Sequence, residues 1–186
     1  MLLVEYLGCG ELNQILDRVN GWIENCDFKV SVILSGMGIL AGIFLVSDYI
    51  SKFASIFRAA LNNIGILSIA YLSVSFLSLG LLICGAILLV SVLFARINPA
   101  EFKNRAVKSD SMLFFSSIAK NKSFSKYKAK VRKCSKEQLM EDLASQVYIC
   151  ALICDKKFKL YKNGLLCSII GFCTFMLMMI VGIAVL

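Results

Sequence analysis

Histidine is absent from the 186 residues, proline occurs once, and charged residues make up only 17% of the chain. Without His there can be no His-based triad, no His-containing zinc site and no imidazole proton shuttle. One Pro and twelve Gly are too few for a loop-rich or disordered chain. The sequence also lacks a Gly-rich phosphate loop, a serine elbow and a paired-carboxylate signature. Eight cysteines are present without a Cys-x-x-Cys pair; Cys150 and Cys154 share a helix face, and Cys84, Cys167 and Cys173 read as small apolar residues. The expectation is therefore a non-enzyme, with no cofactor and no metal.

What the chain has is hydrocarbon. Apolar residues make up 59% of it, against about 45–50% in an ordinary soluble domain. Three stretches carry no charge: Val30 to Ser47, Ala59 to Ala95 and Asn163 to Leu186. A span needs about 20 apolar residues, each rising about 1.5 Å, to cross a core about 30 Å thick. The first stretch spans with little to spare and the third spans comfortably. The second is too long for one upright crossing. Its polar opening, Ala59 to Asn63, suits the interface and leaves Ile64 to Phe94 as one tilted helix, since nothing around Ser78 or Gly80 looks like a turn. The fold class expected is an all-α integral membrane protein, three transmembrane helices with a helical, basic cytoplasmic domain.

Charge sets the orientation. Arg96 to Lys162 holds sixteen Lys/Arg and six Asp/Glu, whereas the connector after the first span holds only Lys52 and Arg58. Arg96, Lys103, Arg105 and Lys108 guard one end of the basic segment, and Lys156, Lys157, Lys159 and Lys162 the other. The positive-inside rule places that segment, and with it the amino terminus, in the cytoplasm. The expected organisation is a cytoplasmic amphipathic helix over 1–29, a first span over 30–47 and a short external connector over 48–63. A second span follows over 64–95, a basic helical sensor domain over 96–162 and a third span over 163–186. Met1 to Val4 is too short an apolar core for a cleaved signal peptide, and Glu5 interrupts it.

Local patterns predict how the helices run. Leu12, Ile15, Leu16, Val19, Trp22, Ile23 and Cys26 recur at three- and four-residue steps, one apolar stripe running without a breaker into the first span. Ser135 and Gln138 have capping-box spacing. Beyond them Leu139, Leu143, Gln146/Val147, Cys150 and Cys154 keep a helical step toward the last span, which predicts one long helix. Glu141-Asp142 and Asp155-Lys156-Lys157 read as solvated or helix-stabilising charges.

Eight basic residues and no acid lie between Lys120 and Lys136. The alternation of Lys126, Lys128, Lys130 and Arg132 with Tyr127, Ala129 and Val131 is strand-like, but Phe124, Tyr127, Val131 and Cys134 fit a helix, which the context favours. The candidate ligand-binding residues are Lys120, Lys122, Phe124, Lys126, Tyr127, Lys128, Lys130, Arg132 and Lys133, cations for an anionic signal and two rings able to stack on a base. The same cations also suit anionic lipid headgroups. In the spans, Ser31, Ser35, Gly38 and Gly42 form one small-residue face, Ser68, Tyr71, Ser75 and Ser78 a second, and Gly164, Ser168 and Gly171 a third. Such faces let helices pack closely or, as hydroxyl stripes, line a path between subunits.

Arg18 to Ile23 and Cys26 to Lys29 form one distinctive block, Leu113 to Ala119 a second, and Asp142 to Tyr148 with Asp155 to Phe158 a third. In their order around the spans they resemble the Pycsar transmembrane effector family of bacterial antiphage systems. The resemblance implies an inner-membrane effector encoded beside a cyclase or nucleotidyltransferase. A nucleotide second messenger made by that enzyme would drive a homo-oligomeric pore or membrane disruption, and so growth arrest or cell death. The strongly basic segment departs from the simplest pattern and admits an oligonucleotide or DNA signal that gates the channel or holds it shut. An accessory membrane protein that binds anionic lipid is the reading from a different class.

Overall fold

The computed structural model describes residues 8–46, 48–62, 65–94 and 111–185. The reading of Met1 to Val4, and Arg96, Lys103, Arg105 and Lys108 of the expected basic flank, lie outside the described residues. Among those described, all regular structure is helical. The helices are α1 (Cys9–Val46), α2 (Tyr49–Asn62), α3 (Ile66–Leu93), α4 (Phe115–Ala119), α5 (Phe124–Arg132) and α6 (Lys136–Val185). Three of them, α1, α3 and α6, are long and apolar enough to cross a bilayer.

Local chemistry accounts for these boundaries. The Ser135 hydroxyl accepts from the Gln138 amide, and the Gln138 side chain accepts from the Ser135 amide, each at 3.2 Å. This reciprocal cap satisfies two donors that every helix start leaves free. From it α6 runs 50 residues unbroken, and α1 runs 38, so the stripe beginning at Leu12 does pass directly into the first apolar stretch. Ser123 caps α5 by accepting from the Lys126 amide, and the basic run is a helix. Of the second apolar stretch, Ile66–Leu93 forms one helix, α3, and the opening, Ala59 to Asn62, ends α2.

The segment expected as a short connector is itself a 14-residue helix, α2. Its apolar residues, Ile50, Phe53, Ile56, Phe57 and Ala60, share one side, and Lys52, Ser55 and Arg58 lie on the other. Strong amphipathicity in so short a helix is what a membrane interface stabilises. Ile56 and Ala60 are buried, and Phe57 meets Phe76 of α3 edge-on at 5.4 Å between ring centres.

The chain divides into two compact units, Met1–Asn25 with Ala95–Lys156, and Cys26–Phe94 with Lys157–Leu186. In the second, Cys26, Val30, Leu89 and Val92 form a buried cluster with Leu160 and Tyr161 packed against it. Beside it Lys157 donates to Asp27 Oδ1 at 2.5 Å. Lys157 is therefore a buried ion-pair member joining α6 to α1, not the solvated charge its sequence context suggests. Asp155 and Lys156 are exposed as expected.

The helices α3 and α6 approach each other closely. A Cβ placed on Gly171 would come within 2.6 Å of the Leu82 amide nitrogen and 2.8 Å of the Ser78 carbonyl. On Gly85 it would come within 2.6 Å of the Ser168 nitrogen, and on Gly164 within 3.1 Å of the Leu89 nitrogen. At Gly85 and Gly171 glycine is required because backbone meets backbone, and at Gly164 a methyl would be tightly packed. The Tyr71 hydroxyl adds a hydrogen bond to the Met178 carbonyl at 3.1 Å.

Candidate functional site

In the first unit, the buried residues include Leu12, Val19, Met112, Leu143, Ile149 and Cys154, but also Ser111, Ser117, Asp142 and Gln146. A core with so many polar members is costly unless each is partnered. Ser111 Oγ accepts from the amides of Leu113 and Phe114, both at 3.0 Å, a local turn that starts α4. The Met112 amide donates to Asp142 Oδ2 at 2.7 Å, and the Tyr127 hydroxyl donates to the Met112 carbonyl at 3.2 Å. Met112 thus joins the basic helix α5 to the buried carboxylate on α6.

That bonding is incomplete. Asp142 is 0% exposed, yet its Oδ1 has no partner, and the buried Ser145 Oγ one turn along α6 has none either. Sequence context reads Glu141-Asp142 as solvated or helix-stabilising charges; Glu141 is exposed, but Asp142 is the sole buried carboxylate among the described residues. Its burial is decided by a segment 30 positions away in sequence, which no local pattern encodes. One signal was available: Asp142, Gln146 and Ile149 follow at steps of four and three beside Leu143, and all four are buried.

The sequence-predicted cations are spread around α5 and its flanks. At about 100° per residue, Lys126, Lys130 and Lys133 fall on one face, and Phe124, Lys128 and Arg132 on another. Lys120, Lys122, Lys126, Lys128, Arg132 and Lys133 are exposed, and Lys130 is half-buried. Phe124 is 76% exposed and free to offer its ring, whereas Tyr127 is half-buried and held by its hydroxyl. The two cationic faces cannot grip one compact anion together. The face bearing Phe124, Lys128 and Arg132 combines charge with an aromatic surface.

Two titrations reflect this setting. The Glu137 carboxylate is held below its usual range by its own backbone amide in the first turn of α6 and by Ser135. Burial pushes the Cys150 thiol up, and Cys154 one turn on adds to the shift. A raised thiol stays protonated and is a poor nucleophile or ligand. Among the described residues, no group of three or more His, Cys, Asp or Glu is placed to hold a metal ion.

The small-residue faces of the spans separate into two kinds. Ser75 and Ser78 are buried, Ser68 and Tyr71 half-buried, and Gly164, Ser168 and Gly171 buried opposite them. This second and this third face pack on each other within one chain. On α1, Ser31, Ser35 and Gly38 are exposed and Gly42 half-buried, and a Cβ on either glycine would meet nothing within 4 Å. The Ser31 and Ser35 hydroxyls are satisfied by the carbonyls of Asp27 and Ser31, four residues back. An apolar groove of about 680 Å³ lies on the opposite side of α1, between Ile33, Met37 and Phe44 and the α6 residues Ile169 and Phe172.

The comparisons agree with the order of these features. Residues 11–186 match the model of the Pycsar effector protein domain, PycTM. The chain is 35% identical over 162 residues to a curated Pycsar effector protein of Gulbenkiania mobilis, GmPycTM, covering 83% of this chain and 82% of the relative. No solved structure matches the chain.

Proposed function

The chain belongs to the Pycsar effector family, transmembrane proteins of antiphage defence, and from that premise we propose that it is a signal-gated membrane effector. Residues 96–162 lie in the cytoplasm of the bacterial cell and bind a cyclic nucleotide made by a partner cyclase. The spans over 30–47, 64–95 and 163–186 cross the inner membrane. They respond by assembling into a homo-oligomeric pore or by disrupting the bilayer, which stops growth before phage can multiply.

The observation that carries this reading is α6. One unbroken helix holds the polar cluster at Asp142, Ser145 and Gln146 near its start and a membrane-length apolar stretch at its end. A change of register or tilt at one end of such a rod is felt at the other, provided the rod has two stable positions. To turn a population from 1:99 to 99:1, the signal must favour one state by about 5.5 kcal/mol. Charge-assisted contacts repeated over several subunits are of that order. The exposed face of α1 supports assembly, because a small-residue face lets a second helix approach closely.

The test is leakage from dye-loaded liposomes carrying the purified protein, with cyclic mononucleotides added singly. One of them is expected to change the leakage rate. Ala151→Pro, a break at an exposed position of α6, is expected to abolish that change while leaving nucleotide binding intact. If no cyclic nucleotide alters leakage or binds, the effector is not gated this way. Binding governed only by anionic lipid content would favour the accessory-protein reading, which the exposed lysines of α5 also suit.

A further inference from the structure

Asp142 presents an unusual demand. An ionised carboxylate only accepts hydrogen bonds, and leaving a buried charged acceptor unmet is costly. Oδ2 has the Met112 amide, but Oδ1 has nothing, and the neighbouring buried hydroxyl, Ser145 Oγ, has nothing either. Whatever completes the pair must bring an N–H or O–H for the carboxylate and can give or take one bond at the hydroxyl. An anion does not fit there, because a phosphate oxygen offers no donor and is repelled by the carboxylate. A metal ion has only one carboxylate to hold it, for no acidic or thiol cluster accompanies Asp142 among the described residues.

A nucleobase edge has the complementary hydrogen-bonding pattern. Every base sets an N–H donor beside an acceptor atom, the amino group of cytosine or adenine next to a ring nitrogen, the ring N–H of uracil or guanine next to a carbonyl. Met112 then fixes the polarity of the ligand. Its amide holds Asp142, and its carbonyl takes the hydroxyl of Tyr127 on the cationic helix α5. Donor-hungry and anion-attracting groups are therefore tied through a single residue, a match to a molecule with a base at one end and a phosphate at the other.

Resting on the nucleotide-sensing reading above, we propose that Asp142 and Ser145 take the hydrogen-bonding edge of the signal's base, with its phosphate directed to the cations of α5. Asp142 is then the residue that reads the base, and the basic run, selected first from sequence, supplies affinity without choosing among bases. Replacing the carboxylate by an amide turns an obligate acceptor into a group that can also donate, so Asp142→Asn alters which base is preferred rather than removing charge attraction.

The experiment uses the full-length protein in lipid nanodiscs. Binding of the four 3′,5′-cyclic nucleotides with adenine, guanine, cytosine and uracil is measured beside the cyclic ribose phosphate without a base. Wild type is expected to bind at least one of the four. Asp142→Asn should weaken that binding by about tenfold or more, or reorder the four bases, since a bond to a charged group is at stake. Binding of the baseless probe should stay within about twofold, because its contacts are the unaltered cations. Should Asp142→Asn fail to fold, Ser145→Ala decides, with a loss of about threefold or more expected for the neutral bond. If the folded variants keep wild-type affinity and base order, the carboxylate is met by an internal water only and the proposal falls. If wild type binds none of the panel, nucleotide sensing itself fails, a result distinct from an unchanged variant.

Discussion

Between α3 and α6, Gly85 and Gly171 lie so close to the facing helix that an added methyl would strike backbone, and one on Gly164 would be tightly packed. On α1, Ser31, Ser35, Gly38 and Gly42 follow nearly the same spacing, yet the first three are exposed and a Cβ on either glycine would meet nothing within 4 Å. The most apolar stretch of α1 is 6% buried, against 22% for those of α3 and α6. In lipid there is no hydrophobic drive between helices, so close packing must come from van der Waals contact and the few polar bonds available. The α3–α6 seam has both. The α1 stripe has the shape for such contact but is largely exposed among the described residues, and it is the face on which the proposed assembly rests.

The comparison breaks most sharply at Gly171. Gly171→Ala forces the Ser78–Leu82 backbone to move and should cost about 1–3 kcal/mol in a detergent unfolding titration. Gly38→Ala, with open space around it, should change the same titration by less than about 0.5 kcal/mol. Equal effects would mean that the two stripes do not differ.

Next comes the ion pair that ties α1 to α6. Lys157→Met leaves Asp27 without its partner. Because the Asp27 side chain keeps 36% of its exposure, the loss should be about 1–2 kcal/mol, below the about 3–5 kcal/mol of a fully buried pair. Adding Asp27→Leu should restore most of it, and a double variant as unstable as the single one would deny the pairing.

Tyr71→Phe removes the bond to the Met178 carbonyl and should cost about 0.6 kcal/mol, the usual worth of a hydrogen bond between membrane helices. Ser168→Ala deletes a buried hydroxyl that has no partner, so unfolding should be unchanged or slightly harder. Gly38→Leu should leave unfolding alone and lower the oligomer fraction in cross-linking within nanodiscs, since a bulky chain holds neighbouring helices apart. An unchanged fraction would move assembly to another face.

The sequence by itself determined what is local or compositional. Long uncharged runs dictate membrane-length helices, because an unpaired backbone group in hydrocarbon costs several kcal/mol, so the segment must bond within itself. The start of α6 was legible in Ser135 and Gln138, and the passage of α1 into the first span in the steps from Leu12 to Cys26, since caps and periodicity act over four residues. The helix at Tyr49–Asn62 was equally written in its apolar spacing but passed for a connector beside longer runs. Tertiary structure alone decided which small-residue stripes close on each other, because Gly38 and Gly171 look alike until a neighbour arrives. It also decided that Lys157 and Asp142, charges that read as solvated in sequence, are buried. Their partners, Asp27 and the Met112 amide, lie 130 and 30 residues away, and burial of a charge is set by what the folded chain brings to it.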